Sequence, residues 1–290
     1  MEHPLNPTAT EIPALLRHFG LRPDKRLGQN FLIDAVALQR VVQAAQISPQ
    51  DRVLEVGAGL GSLTRLLAQQ AREVVAVEID HNLMPALKSM TSPFQNIRLV
   101  EGDILQLDPG TLMDQPDYLI VANIPYYITS ALLRHLLEAS LPPRRMVLTV
   151  QLEVADRICA QAGEMSLLAL SVQVYGKAYR EGRIPAGAFY PVPKVDSAIV
   201  RIDIYPTLPL TTAEIDRMFL LAKSGFGQKR KKLRNALASG LEIEPQAAET
   251  LLLAAGIQPG RRAESLSLEE WLCLTRTSLA LSPKQESQTP

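Results

Sequence analysis

Several things are scarce in this chain. Its 290 residues include only two cysteines, Cys159 and Cys273, with no Cys-x-x-Cys pair and no histidine cluster beside them. A disulfide framework is excluded, and no ligand spacing supports a metal. The residues from Met1 to Glu11 contain no apolar core segment, and no run of roughly 18 uncharged apolar residues occurs anywhere. Neither secretion nor membrane spanning is expected, which points to the cytoplasm. Formal net charge is zero, so global electrostatics do not announce a nucleic-acid partner. What is there is ordinary in bulk: 47% hydrophobic and 21% charged residues, enough for one large or two modest domains with a proper core.

Charge distribution says more than its sum. Lys223, Lys229, Arg230, Lys231, Lys232 and Arg234 fall in one short segment that holds no acid. Such a cluster reads either as a basic footprint for a polyanion or as a solvated helix face.

Apolar patterning alternates between short runs and helical spacing. Residues 1–28 read as a proline-rich, basic arm with a short amphipathic stretch around Ile12 to Leu16, lying on the domain that follows. A helix is expected over 34–46. Strand-like runs follow at 52–56, 73–78, 96–100, 118–122 and 146–151, with helical patterns at 63–70, 83–88 and 130–139 between them. Repeated β-α units predict a doubly wound, mostly parallel α/β sheet of Rossmann-like type, with helices on both faces. Two further runs, 170–179 and 195–205, are expected to close it as an antiparallel pair, giving seven strands. The prolines of Ile204-Tyr205-Pro206-Thr207-Leu208-Pro209 mark a boundary. Beyond it, 212–223, 231–238, 245–255 and 268–277 all read helical, two of them opened by the capping boxes Thr211-x-x-Glu214 and Ser267-x-x-Glu270. The expected organisation is an arm (1–28), an α/β domain (29–206), a small all-helical domain (207–281) and a disordered polar tail (282–290). A monomer is the default expectation.

Four motifs sit where the carboxyl ends of parallel strands would be, the place where ligands bind in open α/β sheets. Val53-Leu54-Glu55-Val56-Gly57-Ala58-Gly59-Leu60-Gly61 runs from a strand into a glycine turn, either a ligand-facing loop or a structural tight turn. Its Gly-x-Gly-x-Gly spacing differs from the dinucleotide fingerprint and so disfavours a nicotinamide dehydrogenase. Glu78 ends the next strand and can accept hydrogen bonds from ribose hydroxyls; Asp80 reads as a helix cap. Gly102-Asp103 ends the third, as an adenine-amine acceptor or as a turn. Asn123-Ile124-Pro125-Tyr126 ends the fourth. There an amide offers one acceptor and one donor end, a proline without an N–H leaves its neighbouring carbonyl free, and a tyrosine offers a stacking face. Alone, this tetrad could be an ordinary turn. In this order the four motifs would line one crevice.

That order resembles the class I methyltransferases that use S-adenosylmethionine, and Asn-Ile-Pro-Tyr is similar to the branch that methylates exocyclic amines. Further motifs narrow the resemblance to the KsgA/RsmA-type small-subunit rRNA adenine dimethyltransferases: Leu27-Gly28-Gln29-Asn30-Phe31-Leu32, Phe189 to Ser197, Phe226 to Leu237, and Arg262 to Ser267. The likeness runs from about Lys25 to about Thr277. It implies a class I fold with S-adenosylmethionine as cofactor. Asn30 and Leu32 would close over that cofactor, Gly57 would lie along its methionine part, Glu78 would take the ribose and Asp103 the adenine. Asn123 would hold the target amine beside Ile124 and Pro125, between the stacking faces Tyr126 and Phe189. Lys229, Arg230, Lys231, Lys232 and Arg234 would meet RNA. Two adjacent adenines near the 3′ end of 16S rRNA, within an immature 30S particle, would be the substrate.

The sequence departs from that pattern in places. Leu152 stands where a lysine is common, Gly163 to Leu167 replaces the usual form, and Tyr127 stands where many members have asparagine. The first two bear on RNA contacts near 152–167 rather than on methyl transfer. None of the four histidines falls in a motif, in keeping with chemistry that needs no strong base. Two neighbouring readings stay in view: an Erm-type methyltransferase of 23S rRNA, and a 30S assembly factor whose binding matters more than its catalysis.

Overall fold

The computed structural model describes residues 11–228 and 230–281. Its strands are β1 (Phe31–Leu32), β2 (Arg52–Val56), β3 (Glu73–Glu78), β4 (Ile97–Glu101), β5 (Leu119–Asn123), β6 (Arg145–Gln151), β7 (Gly176–Ile184), β8 (Phe189–Tyr190) and β9 (Ser197–Ile204). Seven form one sheet in the order β4-β3-β2-β5-β6-β9-β7. The first five in that order run parallel, and β9 lies antiparallel between β6 and β7. Strands β2, β3, β5 and β6 are covered on both faces and are correspondingly rich in Val, Leu and Ile. The α/β fold is therefore the one the sequence patterning implies.

Helices α1 (Glu11–His18), α2 (Ala35–Ala45), α3 (Ser62–Ala68), α4 (Met84–Thr91), α5 (Pro109–Met113) and α6 (Thr129–Leu137) belong to the sheet unit. Asp34 starts α2 by accepting a hydrogen bond from the Ala37 N–H at 2.7 Å, and the apolar side of the helix (Leu38, Val41, Val42) joins the core with Val53, Leu119 and Val147. The buried Ile12 and Leu16 of α1 pack with Leu60, Leu83 and Ala86, so the described part of the arm does lie on the domain that follows.

Helix α7 (Leu152–Ile158) follows β6, and the break between two compact units falls inside it. The first unit runs to Asp156 and resumes over Gly176–Pro206; the second takes Arg157–Tyr175 and the chain from Thr207. It holds α8 (Leu167–Gln173), α9 (Thr212–Phe226), α10 (Leu233–Leu241), α11 (Pro245–Ala254) and α12 (Leu268–Leu281). Its core gathers Leu170, Leu221, Leu237, Leu252 and Trp271, with Phe226 stacked on Trp271 at 5.5 Å between ring centroids. Residues 157–175, read with the α/β domain from sequence, pack here instead: Gly163 and Met165 donate backbone hydrogen bonds to the Glu264 carbonyl at 2.9 and 3.1 Å. The ion pair Arg261–Glu270 ties a loop to α12, and Arg234–Glu249 ties α10 to α11.

Other expectations need correction. The antiparallel pair that closes the sheet is present as β7 and β9, but the run at 170–179 is strand only from Gly176: before it Ser166 caps a helix by accepting from the Ala169 N–H at 3.1 Å. β7 escapes an alternation reading because it is an edge strand dense in charge (Lys177, Arg180, Glu181, Arg183), a composition that disfavours edge-to-edge pairing. Helix α10 begins at Leu233, two residues later than expected, which leaves Lys231 and Lys232 in the loop before it. The antiparallel ribbon β1–β8, with Phe31 opposite Tyr190 and Leu32 opposite Phe189, joins the arm to the Phe189–Ser197 segment. No helix of the described residues is long and apolar enough to cross a membrane.

Candidate functional site

Strand order places the four motifs side by side. β4, β3, β2 and β5 are consecutive neighbours, so the residues after their carboxyl ends line one crevice at the point where the chain reverses its direction of winding. Three adjoining hollows fill it. One is lined by Asn30, Gly57, Glu78, Asn123, Ile124, Pro125 and Phe189 among others. A second reaches Leu32, Glu55 and Gly57, and a third, of about 210 Å³, opens beside Asp103, Ile79, Leu105 and Tyr127.

The glycine loop is held from β3. The Gly57 and Ala58 N–H groups donate to the Val77 carbonyl at 2.9 and 3.1 Å. Gly57 has φ +79°, and a Cβ built there would meet nothing closer than the Asn123 carbonyl at 3.7 Å. The backbone is thus both strained for any other residue and open toward the crevice. Gly59 donates its N–H to Glu78 Oε2 at 2.7 Å, while Asp80 N–H donates to Oε1 at 2.9 Å. Glu78 therefore pins the loop across the strand gap, with lone pairs remaining on both oxygens. Burial raises its carboxyl above the usual range, opposed by the two backbone donors and assisted by the Asp80 charge.

Asp103 turns back on itself, its Oδ1 accepting from the Leu105 N–H at 2.9 Å. Asn123, the last residue of β5, donates from Nδ2 to the Asn30 carbonyl at 2.9 Å. Ile124 is buried and its N–H bonds to the Thr149 carbonyl of β6 at 3.2 Å, which fixes the backbone ahead of Pro125. Phe189 lines the crevice, yet its strand pairing with Leu32 leaves it only 2% exposed; among the described side chains Tyr127 is an aromatic at the mouth, 63% exposed. The side chain of Tyr126 lies outside the described residues.

Two residues at this site were given no role from the sequence. Glu55 sits mid-strand in β2, 1% exposed, with Oε2 lacking any hydrogen-bond partner and facing the second hollow. Burial pushes its carboxyl up to about 8, opposed by the Thr64 hydroxyl and reinforced by Glu78. An acid inside an otherwise apolar strand was the available signal. Gln29 bridges Asp80 Oδ2 (Nε2 donating, 2.8 Å) and the Asp24 N–H (Oε1 accepting, 2.8 Å); its signal was membership of the Leu27–Leu32 motif.

The basic residues belong to the helical unit and not to this crevice. Arg230, Lys231 and Lys232 are exposed in the loop before α10, and Lys232 is the N-cap immediately ahead of the helix. Leu233 N–H bonds to the Arg261 carbonyl at 2.7 Å, anchoring the loop. Arg234 differs from them, because Glu249 holds its guanidinium at 2.8 Å. Lys229 lies outside the described residues. Among the described residues no three potential metal ligands cluster.

Comparison with known proteins places this arrangement. The family described as ribosomal RNA adenine dimethylase matches residues 20–278. The "Ribosomal RNA small subunit methyltransferase A" of Dehalococcoides mccartyi strain CBDB1 is 48% identical over 264 residues, 90% of each chain. The protein of the same name from Geobacillus kaustophilus is 38% identical over 279 residues, 93% of this chain and 94% of its own. Among solved structures, the 23S rRNA methyltransferase ErmE superposes with TM-score 0.71 at 31% identity, over 86% of this chain and 99% of its own. A dimethyladenosine transferase from Plasmodium falciparum does so with TM-score 0.72 at 25% identity, over 83% and 94%.

Proposed function

Because this chain belongs to the ribosomal RNA adenine dimethylase family, we propose that it methylates N6 of two adjacent adenines near the 3′ end of 16S rRNA, within the immature 30S particle in the cytoplasm. S-adenosylmethionine is the methyl donor in this reading, and the enzyme acts as a monomer. The observation that carries it is the Asn123 amide, held by one end at the close of β5 inside a crevice of strand-end acids. The small-subunit substrate is favoured over 23S rRNA by the relatives: 48% identity to a small-subunit enzyme against 31% to ErmE.

The residues fit the cofactor. A positive-φ glycine with open space above it suits close backbone approach to the methionine part, and the unpartnered Glu55 Oε2 suits a cationic group. Glu78 would take the ribose hydroxyls on its remaining lone pairs, Asp103 the adenine amine, and Asn30 and Leu32 would cover the bound molecule. When bound, S-adenosylmethionine supplies an electrophilic methyl group on a sulfonium.

The adenine amine is a poor nucleophile because its lone pair is delocalised into the ring. Asn123 Oδ1 and the Ile124 carbonyl would accept its two hydrogens, bonds that strengthen as positive charge grows on nitrogen and so favour the transition state over the ground state. Pro125 has no N–H to compete for either acceptor. Holding the amine in line contributes much of the acceleration, and the proton leaves to water after transfer. The base must leave its stack to enter; stacking on Tyr126 would offset that cost by about 1–3 kcal/mol per base, with the covered Phe189 as a wall of the crevice. Arg230, Lys231 and Lys232, ahead of the α10 N-terminus, would meet RNA phosphates in the helical unit, where helix end and side chains carry the same sign.

Labelled S-adenosylmethionine offered with immature 30S particles, 50S particles and naked rRNA tests this. Dimethyladenine on the 30S sample alone is the expected result. Label on 23S rRNA would replace the reading with an Erm-type one, and tight 30S binding without label would leave an assembly factor.

A further inference from the structure

The Asp24–Asp34 segment borders the crevice, and its hydrogen bonds point to what it holds. Gln29 is tied at both ends of its amide, to Asp80 Oδ2 and to the Asp24 N–H, both at 2.8 Å. Asp80 is 7% exposed and immobilised in turn, its Oδ1 accepting from the Asn82 N–H and side chain at 3.0 Å each. One residue on, the Asn30 carbonyl accepts from Asn123 Nδ2 at 2.9 Å, and the Asn30 side chain donates to the Gly28 carbonyl at 3.0 Å. Beyond it, β1 is pinned to β8. Before it, Gly28 packs so closely on the Tyr127 ring and Pro125 that a Cβ would come within 3.2 and 3.3 Å of them.

A primary amide has two ends of nearly equal shape and opposite hydrogen-bonding character. Turned the wrong way, Asn123 would point N–H groups at the amine it must hold. Its orientation depends on an acceptor that engages only Nδ2, and the Asn30 carbonyl is that acceptor. A backbone carbonyl has no side chain of its own to fix it. On its far side the carbonyl's peptide unit runs into Phe31, held against β8; on its near side the fixed point is Gln29.

We propose that Gln29 is a positioning residue for methyl transfer: bonded to Asp80 and Asp24, it holds the Asn30 carbonyl on Asn123 Nδ2, and so sets which end of the Asn123 amide meets the target amine. This rests on the adenine-methylating reading of the site and adds a determinant of kcat outside it. The strap then links the end of β3 to the end of β5, so Asp80, whose side chain touches the crevice only through Gln29, serves catalysis too.

Gln29→Glu keeps the bond from the Asp24 N–H and removes the donor to Asp80. Single-turnover methylation should fall about 10²-fold, the scale of a misplaced catalytic group, while affinity for S-adenosylhomocysteine stays close to wild type. Gln29→Glu combined with Asp80→Asn re-forms the bond with its donor reversed and should recover most of the rate. In an Asn123→Ala background Gln29→Glu should cost nothing further, since a residue acting through Asn123 cannot add to its removal. Additive losses, an equal fall in cofactor affinity, or no rescue would each overturn the proposal. The Asn123 side-chain amide signal in NMR, protected in wild type and exposed in Gln29→Glu, reads the same contact without RNA. It therefore separates failure of this inference from failure of the functional reading; an unchanged signal refutes the inference alone.

Discussion

At the strand ends of the sheet, Glu78 is buried and Asp103 half-buried, and their oxygens are held by backbone N–H groups. In the helical unit, Arg230, Lys231 and Lys232 stand in solvent on a loop whose backbone alone is anchored. The two regions carry opposite charge in opposite states of order. A small rigid ligand needs groups fixed before it arrives, because a misplaced acceptor loses rate steeply. A phosphate backbone needs only positive potential, which tolerates mobile side chains and is weakened by salt. Arg234 marks the border between these regimes, with sequence neighbours that are free and a guanidinium paired to Glu249.

The contrast makes predictions that differ in kind as well as in size. Asn123→Ala should lower methyl transfer by about 10²–10³-fold with RNA and cofactor affinity nearly kept; a variant with normal turnover would remove the catalytic role. Glu78→Ala deletes both the proposed ribose acceptor and the tether on Gly59. Cofactor affinity, read by calorimetry, should drop about 10-fold to 100-fold, while RNA binding stays. Lys231→Ala with Lys232→Ala should weaken RNA binding and lower the slope of log affinity against log salt by about 1.4–1.8, without touching cofactor affinity. Exchange of the Glu78 and lysine phenotypes would break the division outright. Arg234→Ala sharpens it: its guanidinium is already paired, so the salt slope should move less than for either lysine.

The smallest effect concerns stability. Glu55 is raised from an ordinary 4.5 to about 8. Between those values the folded protein binds the extra proton, so stability is full below about pH 4.5 and falls as pH rises toward 8. Thermal melts of Glu55→Gln should lose this decline and exceed wild type near pH 8. An unchanged profile would mean that the carboxylate is compensated in the fold.

Much of this was readable before folding was considered. The β-α alternation, the strand-end motifs and their order rest on periodicity and on glycine and proline chemistry, which act locally. Asn123, Glu78 and Asp103 were legible because each ends a run with a distinct apolar pattern. The strand at 176–184 was not, because a charged edge strand lacks the alternation of a half-buried one, whereas the capped apolar helix before it resembles a buried strand over so short a length. The covered state of Phe189 could not be seen either, since it comes from pairing with Leu32 across more than half the chain.

The sequence by itself determined the fold class, the family, and the order of the strand-end motifs, because each follows from local pattern and motif order. Only the tertiary structure decided what those side chains do to one another. Burial beside Glu78 makes Glu55 a weak acid; Glu249 takes Arg234 from the basic cluster; and the Asn30 carbonyl, 93 residues away in sequence, holds the Asn123 amide. Dielectric environment, pairing and orientation are properties of distance in space, and no spacing along the chain encodes them.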